Sequence, residues 1–113
     1  MAKKDVDLTL TVKQTGAIKV TVFPYRRHLF KNDKDRASFK FNGDITYAEV
    51  SFSGSAWPFK GNNKVLEGST DFDSPEVDAG ASFGDAKYTI TLYFDDINGV
   101  ERSVTIDPDM VID

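Results

Sequence analysis

The only histidine of this chain, His28, follows Arg26 and Arg27, and that placement limits what its imidazole can do. Two adjacent guanidinium groups disfavour a cationic or metal-bound ring. One histidine cannot build a multi-histidine metal site, and a triad needs an activated nucleophile and an orienting acid beside it, which no motif here supplies. His28 therefore reads as a solvated residue of a connection, and no catalytic residue is assigned. The chain has no cysteine, which removes thiolate catalysis, thiol redox chemistry, cysteine-based zinc sites and the thiolate of a blue-copper centre. No cofactor is expected.

Carboxylates offer a second chemistry. The run Asp71-Phe72-Asp73-Ser74-Pro75-Glu76-Val77-Asp78 could gather oxygen ligands for Ca²⁺, with Asp71, Asp73 and Asp78 as the metal candidates. It departs from the EF-hand loop, because Glu76 stands where that loop needs its turn glycine and the twelfth-position glutamate is missing. The plainer reading is a solvated acidic loop. Aromatic rings offer a third chemistry: Trp57, Phe59, Tyr47, Tyr25 and Tyr93 could form a platform for sugar rings. Strand alternation turns Tyr47 and Tyr93 outward, whereas Trp57-Pro58-Phe59 reads as a plug for the end of the core, where large rings bury the most area.

Charge is distributed unevenly. Residues 1–64 carry 12 Lys+Arg against 6 Asp+Glu, a net of +6, and residues 65–113 carry 2 against 12, a net of −10. The overall charge of −4 and pI near 4.9 argue against nucleic acid as a partner, since phosphate binding needs a net basic face. Either the two parts interleave and neutralise across strands, or they leave a dipolar surface suited to a protein partner. On the second reading Arg26, Arg27 and Lys31 are the basic contact, with Asp71, Asp73 and Asp78 acidic on another surface. The start, Met1-Ala2-Lys3-Lys4-Asp5-Val6, lacks the apolar stretch of a secretory signal, and no run reaches the length of a membrane span. A cytoplasmic protein with no membrane partner is expected.

The elements that would position these groups are strands. Val6, Leu8, Leu10 and Val12 alternate with polar residues, and so do Ile18, Val20 and Val22, up to Pro24, which cannot donate to a ladder. These two strands form a hairpin or lie in facing sheets. Leu29 to Lys34 reads as a connection. Ala37, Phe39 and Phe41 then share a face, and Asn42-Gly43-Asp44 is a turn. Ala48, Val50 and Phe52 share a face from which Ile45 and Tyr47 are out of phase, so a bulge is expected near Thr46 to Ala48. Residues 53–84 are rich in loops, with one further strand expected over Val77, Ala79, Ala81 and Phe83 and room for a short helix or 3₁₀ turn between Lys60 and Ser74.

The strongest strand has Tyr88, Ile90, Leu92 and Phe94 inward. A two-residue Asn-Gly turn after it would pair Leu92 with Thr105 and Ile90 with Asp107, mixing apolar and polar residues on one face. A three-residue loop, Ile97-Asn98-Gly99 with Gly99 left-handed, pairs Phe94 with Arg102, Leu92 with Val104 and Ile90 with Ile106, and is the expected register. A last strand, Met110 to Ile112, follows Asp107-Pro108. One domain of 113 residues removes roughly 65% of its unfolded surface from water without a staple. Seven to nine strands in it mean an all-β, two-sheet Greek-key sandwich.

An early Ile-x-Val strand, Phe39-x-Phe41, Phe52 followed by Trp57-Pro58-Phe59, Tyr88-x-Ile90-x-Leu92, and the ending Val104-x-Ile106-Asp107-Pro108-Asp109-Met110-Val111-Ile112 together resemble the cupredoxin-like sandwiches, especially small metal-free members. An immunoglobulin-like sandwich accounts for nearly all of the same features. The copper-carrying members place a histidine near the strand that is Thr46 to Phe52 here, and a Cys, His and Met after the last long strand. This chain has no histidine at the first place and no cysteine or histidine after Tyr88, so the resemblance implies fold without copper electron transfer. Met110 reads as core. The expected function is a non-enzymatic protein-interaction or assembly module, binding itself or another protein through loop tips or an edge strand, with Arg26, Arg27, Lys31, Tyr47, Trp57 and Tyr93 as the contact residues. A carbohydrate- or calcium-binding module is the alternative.

Overall fold

Alternation of apolar and polar residues is converted into strands almost throughout. A computed structural model describes residues 2–53 and 56–113 and contains, among them, ten strands and no helix. In chain order these are β1 (Lys3–Val12), β2 (Ile18–Phe23), β3 (Arg26–Leu29), β4 (Arg36–Gly43), β5 (Ile45–Phe52), β6 (Val65–Gly68), β7 (Phe72–Asp73), β8 (Gly84–Asp95), β9 (Glu101–Ile106) and β10 (Asp109–Ile112). The expected seven to nine strands become ten because β3 and the short β6 and β7 form in segments read as connections.

Two sheets face each other. One has the order β2-β1-β4-β7, and the other runs β3-β10-β8-β5-β6 with β9 also on β8. The twelve-residue β8 organises the second sheet: its first part pairs with β10, its later part pairs with β9 along the same edge, and β5 lies along the other edge. Twelve residues in a strand span about 40 Å, close to the 46 Å long axis of the molecule. Val6, Leu8, Leu10 and Phe39 from the first sheet are fully buried against Val50, Ile90, Leu92 and Met110 from the second. Met110 is core, as its pattern predicts.

The local readings can be checked one by one. β1 and β2 form an antiparallel hairpin, with Leu10 opposite Val20. The register shifts between Ile45 and Tyr47, where the bulge is expected. The β8–β9 register pairs Phe94 with Arg102, Leu92 with Val104 and Ile90 with Ile106, and Gly99 has φ +77°. Asn42-Gly43-Asp44 carries the chain from β4 in one sheet to β5 in the other.

Two expectations over residues 60–83 are corrected. The stretch 60–74 holds β6 and β7, not a helix. Residues 77–83 do not form a strand, because their backbone groups are used elsewhere. The Val77 N–H donates to the Asp35 carbonyl and the Asp78 N–H to the Pro58 carbonyl, leaving one isolated bridge between Phe59 and Val77. The Ala81 N–H then turns back to the Asp78 carbonyl, and the Asp78 carboxylate accepts the Gly80 N–H. An Asx turn of this kind competes with extension, and Ala79 and Phe83 end on the surface.

The β8–β9 turn is held by one carboxylate. Asp96 Oδ1 accepts the N–H groups of Asn98 and Val100, both at 2.9 Å, and Oδ2 accepts from Arg102 Nε at 3.0 Å. The Val100 N–H, then Arg102, hold its carboxyl below the usual carboxylate range. A carboxyl depressed by folding stabilises the native state above its unfolded pKa, near 3.9, and that contribution is lost as pH falls through the lower folded value. Melting temperature is therefore expected to drop on acidification below about pH 4. Asp96→Asn should show a shallower acid limb; an acid limb identical to that of the unmodified chain would contradict this.

Candidate interaction surface

Among the described residues β2 is a free sheet edge, and the hairpin fixes which of its backbone groups face away from β1. The Lys13 N–H donates to the Ala17 carbonyl at 2.8 Å and closes the β1–β2 turn. Since the N–H and C=O of one residue point to the same side of a strand and alternate along it, those of Lys19, Thr21 and Phe23 then face β1, and those of Ile18, Val20 and Val22 face outward. The same alternation on β1 sends the Leu10 carbonyl and Val12 N–H to the other side, where they meet the Asp44 N–H and the Asp44 carboxylate. Ile18, Val20 and Val22 share the inward side-chain face with their partners Val12, Leu10 and Leu8. Unlike Leu8 and Leu10, they are not fully buried.

β9 is the corresponding edge of the other sheet, with β8 on one side and no strand on the other among the described residues. The two edges lie on the same side of the sandwich. A methyl group placed on Gly16, in the β1–β2 turn, would meet Ile97 Cγ2, in the β8–β9 turn, at 3.7 Å. At the opposite end of β2, the Tyr25 hydroxyl donates to the Asp107 carbonyl, just past β9, at 2.6 Å. Five of the eight exposed large apolar side chains recorded among the described residues belong to this side or its ends: Ile18, Phe23, Tyr25, Ile97 and Val100, with Phe23 72% exposed. Val104 and Ile106 of β9 are half-buried beneath it.

The residues singled out from the sequence do not converge. Arg26 and Arg27 lie on opposite faces of β3. Arg26 is outward and reaches Asp85 (3.2 Å) and Asp109 (3.6 Å). Arg27 shares the face of Met110 and Ile112, and its Nε is buried without a partner among the described residues. Lys31 stacks on the Phe83 ring at 4.1 Å. With Lys3–Asp73 at 2.8 Å and the Lys60–Glu76 pair, the Arg26 contacts join basic residues of the first part of the chain to acids of the second. Charges that look segregated along the sequence are interleaved in space.

The acids are likewise dispersed. Asp71 accepts the Phe41 N–H, Asp73 accepts from the Ser38 hydroxyl and pairs with Lys3, and Asp78 caps Gly80. No group of three or more His, Cys, Asp or Glu side chains is placed to hold a metal among the described residues. His28 Nδ1 sits 2.6 Å from Asp113 Oδ2 on the exposed face of β3.

Tyr47 and Tyr93 are brought together, edge to face at 5.9 Å on the outer surface of β5 and β8. Desolvation, then a hydrogen bond to Glu67, raises the Tyr47 pKa, so its hydroxyl remains a donor. Trp57 belongs to another place: it packs on Phe52 and Phe59 beyond the far end of β5, roughly 15 Å along the strand from Tyr47. As the sequence predicts, Trp57-Pro58-Phe59 plugs the end of the core, with Phe59 2% exposed. The side-chain shortlist from the sequence contains no β2 residue. Among the sequence signals, Thr21 on the outward face of β2 and the stop at Pro24 point to this edge, and Lys19 on the same face points against it.

Compared with known proteins, the chain matches no family model and no curated sequence.

Proposed function

We propose that this chain is a non-enzymatic assembly module that pairs with a second copy of itself through the β2 edge. The observation that carries the reading is the open edge itself, six residues long, uncharged apart from Lys19 and flanked by exposed apolar side chains. An unpaired strand of this kind is a template for strand addition unless something blunts it. β2 is also self-complementary. In an antiparallel pair with Val20 opposite Val20, Ile18 stands opposite Val22, and every outward N–H and C=O of both strands finds a partner. Lys19 then faces Thr21 and never the other Lys19, so no like charges oppose each other. The inward faces stay continuous, and the half-buried valines of two copies meet. Metal-free cupredoxin-like character enters this proposal as fold alone.

The contact is built from backbone and apolar groups, so its strength should change little with salt. An interface resting on Arg26, Arg27 and Lys31 would weaken as the Debye length shrinks to about 8 Å. The test is sedimentation velocity on the unmodified chain and on Val20→Pro, each at low and high salt. Proline at residue 20 removes an N–H that faces away from β1, so the β1–β2 ladder keeps its bonds, whereas a second β2 can no longer pair there. A dimer that persists in salt, and dissociates about tenfold or more easily in Val20→Pro at unchanged melting temperature, is the expected result. A chain that stays monomeric to its solubility limit, or a dimer indifferent to Val20→Pro, would overturn the reading.

A further inference from the structure

Of the four tyrosines in the chain, two are set against each other. Tyr47 and Tyr93 stand directly opposite across the β5–β8 ladder, and their rings meet at 5.9 Å with 67° between the planes. Both are half-buried on the outer face of the sheet, where a reagent in solution reaches them. The other two phenols are placed differently. Tyr88 is 3% exposed in the core, stacked on Phe52. Tyr25 makes no ring contact among the described residues and donates its hydroxyl to the Asp107 carbonyl at 2.6 Å.

The neighbours of Tyr47 ease the loss of an electron. β6 sets Glu67 opposite Glu49, both on the outer face that carries Tyr47, and the Tyr47 hydroxyl donates to the Glu67 carboxylate. A phenol gives up an electron more readily when a base already in hydrogen-bond reach takes the proton in the same step. Once Tyr47 is oxidised, the phenol in contact with it is Tyr93. The ladder holds the two rings together, which replaces a search through solution or along a long intervening segment by a reaction between preset neighbours.

We propose that Tyr47 and Tyr93 form a site of oxidative cross-linking, at which a haem peroxidase using hydrogen peroxide joins the two rings carbon to carbon into a covalent staple between β5 and β8. Each phenol gives up one electron and its hydroxyl proton, Tyr47 by way of Glu67. The two radicals couple at the ring carbons beside the hydroxyls. The hydrogen on each of those carbons then passes to the neighbouring oxygen, which restores both phenols. One hydrogen peroxide takes up the two electrons and two protons and leaves as two waters. A tyrosine ring turns about its bond to Cβ at low cost, so the edge-to-face contact converts to the edge-to-edge one that the new bond needs. In a chain without cysteine this staple restricts the unfolded state as a disulfide would, and thiol reductants leave it intact. It lies on the outer face of its sheet and does not depend on pairing through β2, so either reading fails or stands alone.

The test treats the purified chain with a haem peroxidase and limiting hydrogen peroxide, follows dityrosine fluorescence, and maps the product by mass spectrometry of its peptides. An intrachain product lighter by two hydrogens, joining the peptides that hold Tyr47 and Tyr93, is expected. It should melt about 10 °C higher than the untreated chain. Tyr93→Phe keeps the ring contact and removes one phenol, and should abolish this product, whereas Tyr25→Phe should leave its yield unchanged. Glu67→Gln, which keeps an acceptor but not a base, should slow its formation about fivefold or more. Absence of a Tyr47–Tyr93 product, or cross-linking mainly between chains or through Tyr25, would overturn the proposal.

Discussion

Phe52→Ala is expected to cost about 3–5 kcal/mol of unfolding free energy, measured by urea denaturation. Phe52 is 4% exposed at the end of β5 and touches three rings, those of Trp57, Phe59 and Tyr88. The cost of removing a ring depends on how far its neighbours can collapse into the space left behind. Here they are tied from separate directions: Tyr88 by the β8 ladder, in which it is paired directly with Phe52, and Phe59 by its bridge to Val77. Collapse would break those backbone bonds, so the void persists. Phe23→Ala is the matched control, because a ring that is 72% exposed should be worth within about 0.5 kcal/mol. A Phe52→Ala loss below about 1 kcal/mol would mean that the aromatic end of the core is not rigid.

Gly43→Ala is expected to cost about 2–4 kcal/mol, although it adds one carbon at an exposed position. Gly43 has φ +86°, and a Cβ there would lie 2.3 Å from the Leu10 carbonyl oxygen and 3.2 Å from its carbon. Both atoms are backbone, so no side chain can move aside. That carbonyl also accepts the Asp44 N–H at 2.7 Å, and the Asp44 carboxylate accepts the Val12 N–H at 2.7 Å. Strain and lost hydrogen bonds therefore add at the corner where β4 leaves its sheet. Gly99→Ala provides the comparison: φ is +77° but nothing lies within 4 Å of the added carbon, so only the backbone penalty of about 1 kcal/mol applies. Equal losses for the two variants, read from denaturant midpoints, would show that the Leu10 contact does not matter.

Long alternating segments were readable because one sheet face must be buried: residues 6–12 and 88–94 admit a single assignment of faces. The β8–β9 register followed from the same argument, since only a three-residue loop kept Leu92 and Val104 together. β3 was not readable. Of Arg26-Arg27-His28-Leu29 only Leu29 reaches the core, and the partners of Arg26 and His28 lie some sixty or more residues away at Asp85, Asp109 and Asp113. Residues 77–83 misled in the other direction: the alternation is present, but Asp78 and Gly80 make a turn and the adjacent segments claim the backbone bonds. The outward Tyr47–Tyr93 pair was foreseeable from β-period alone. The Glu67 partner of Tyr47 was not, because β6 forms in a segment read as a connection. Charge segregation along the chain left interleaving and a dipolar surface both open, and the ion pairs between the two parts favour interleaving.

The connection between β3 and β4 holds both ends of the described chain. The Arg36 N–H donates to the Ala2 carbonyl, the Lys31 N–H to the Asp113 carbonyl and the Asp113 N–H to the Leu29 carbonyl. β1 begins beside Arg36 and β10 ends beside Leu29, each parallel to its neighbour there. Drawing residues 2 and 113 apart would therefore not slide strands along their length against many bonds at once. It would peel β1 and β10 outward from one shared clasp, a rung at a time, while the hairpin tips at the far end carry no tension. Resistance to heat, which depends on the whole buried core, and resistance to stretching, which depends on a few terminal rungs, are thus separate properties of this molecule.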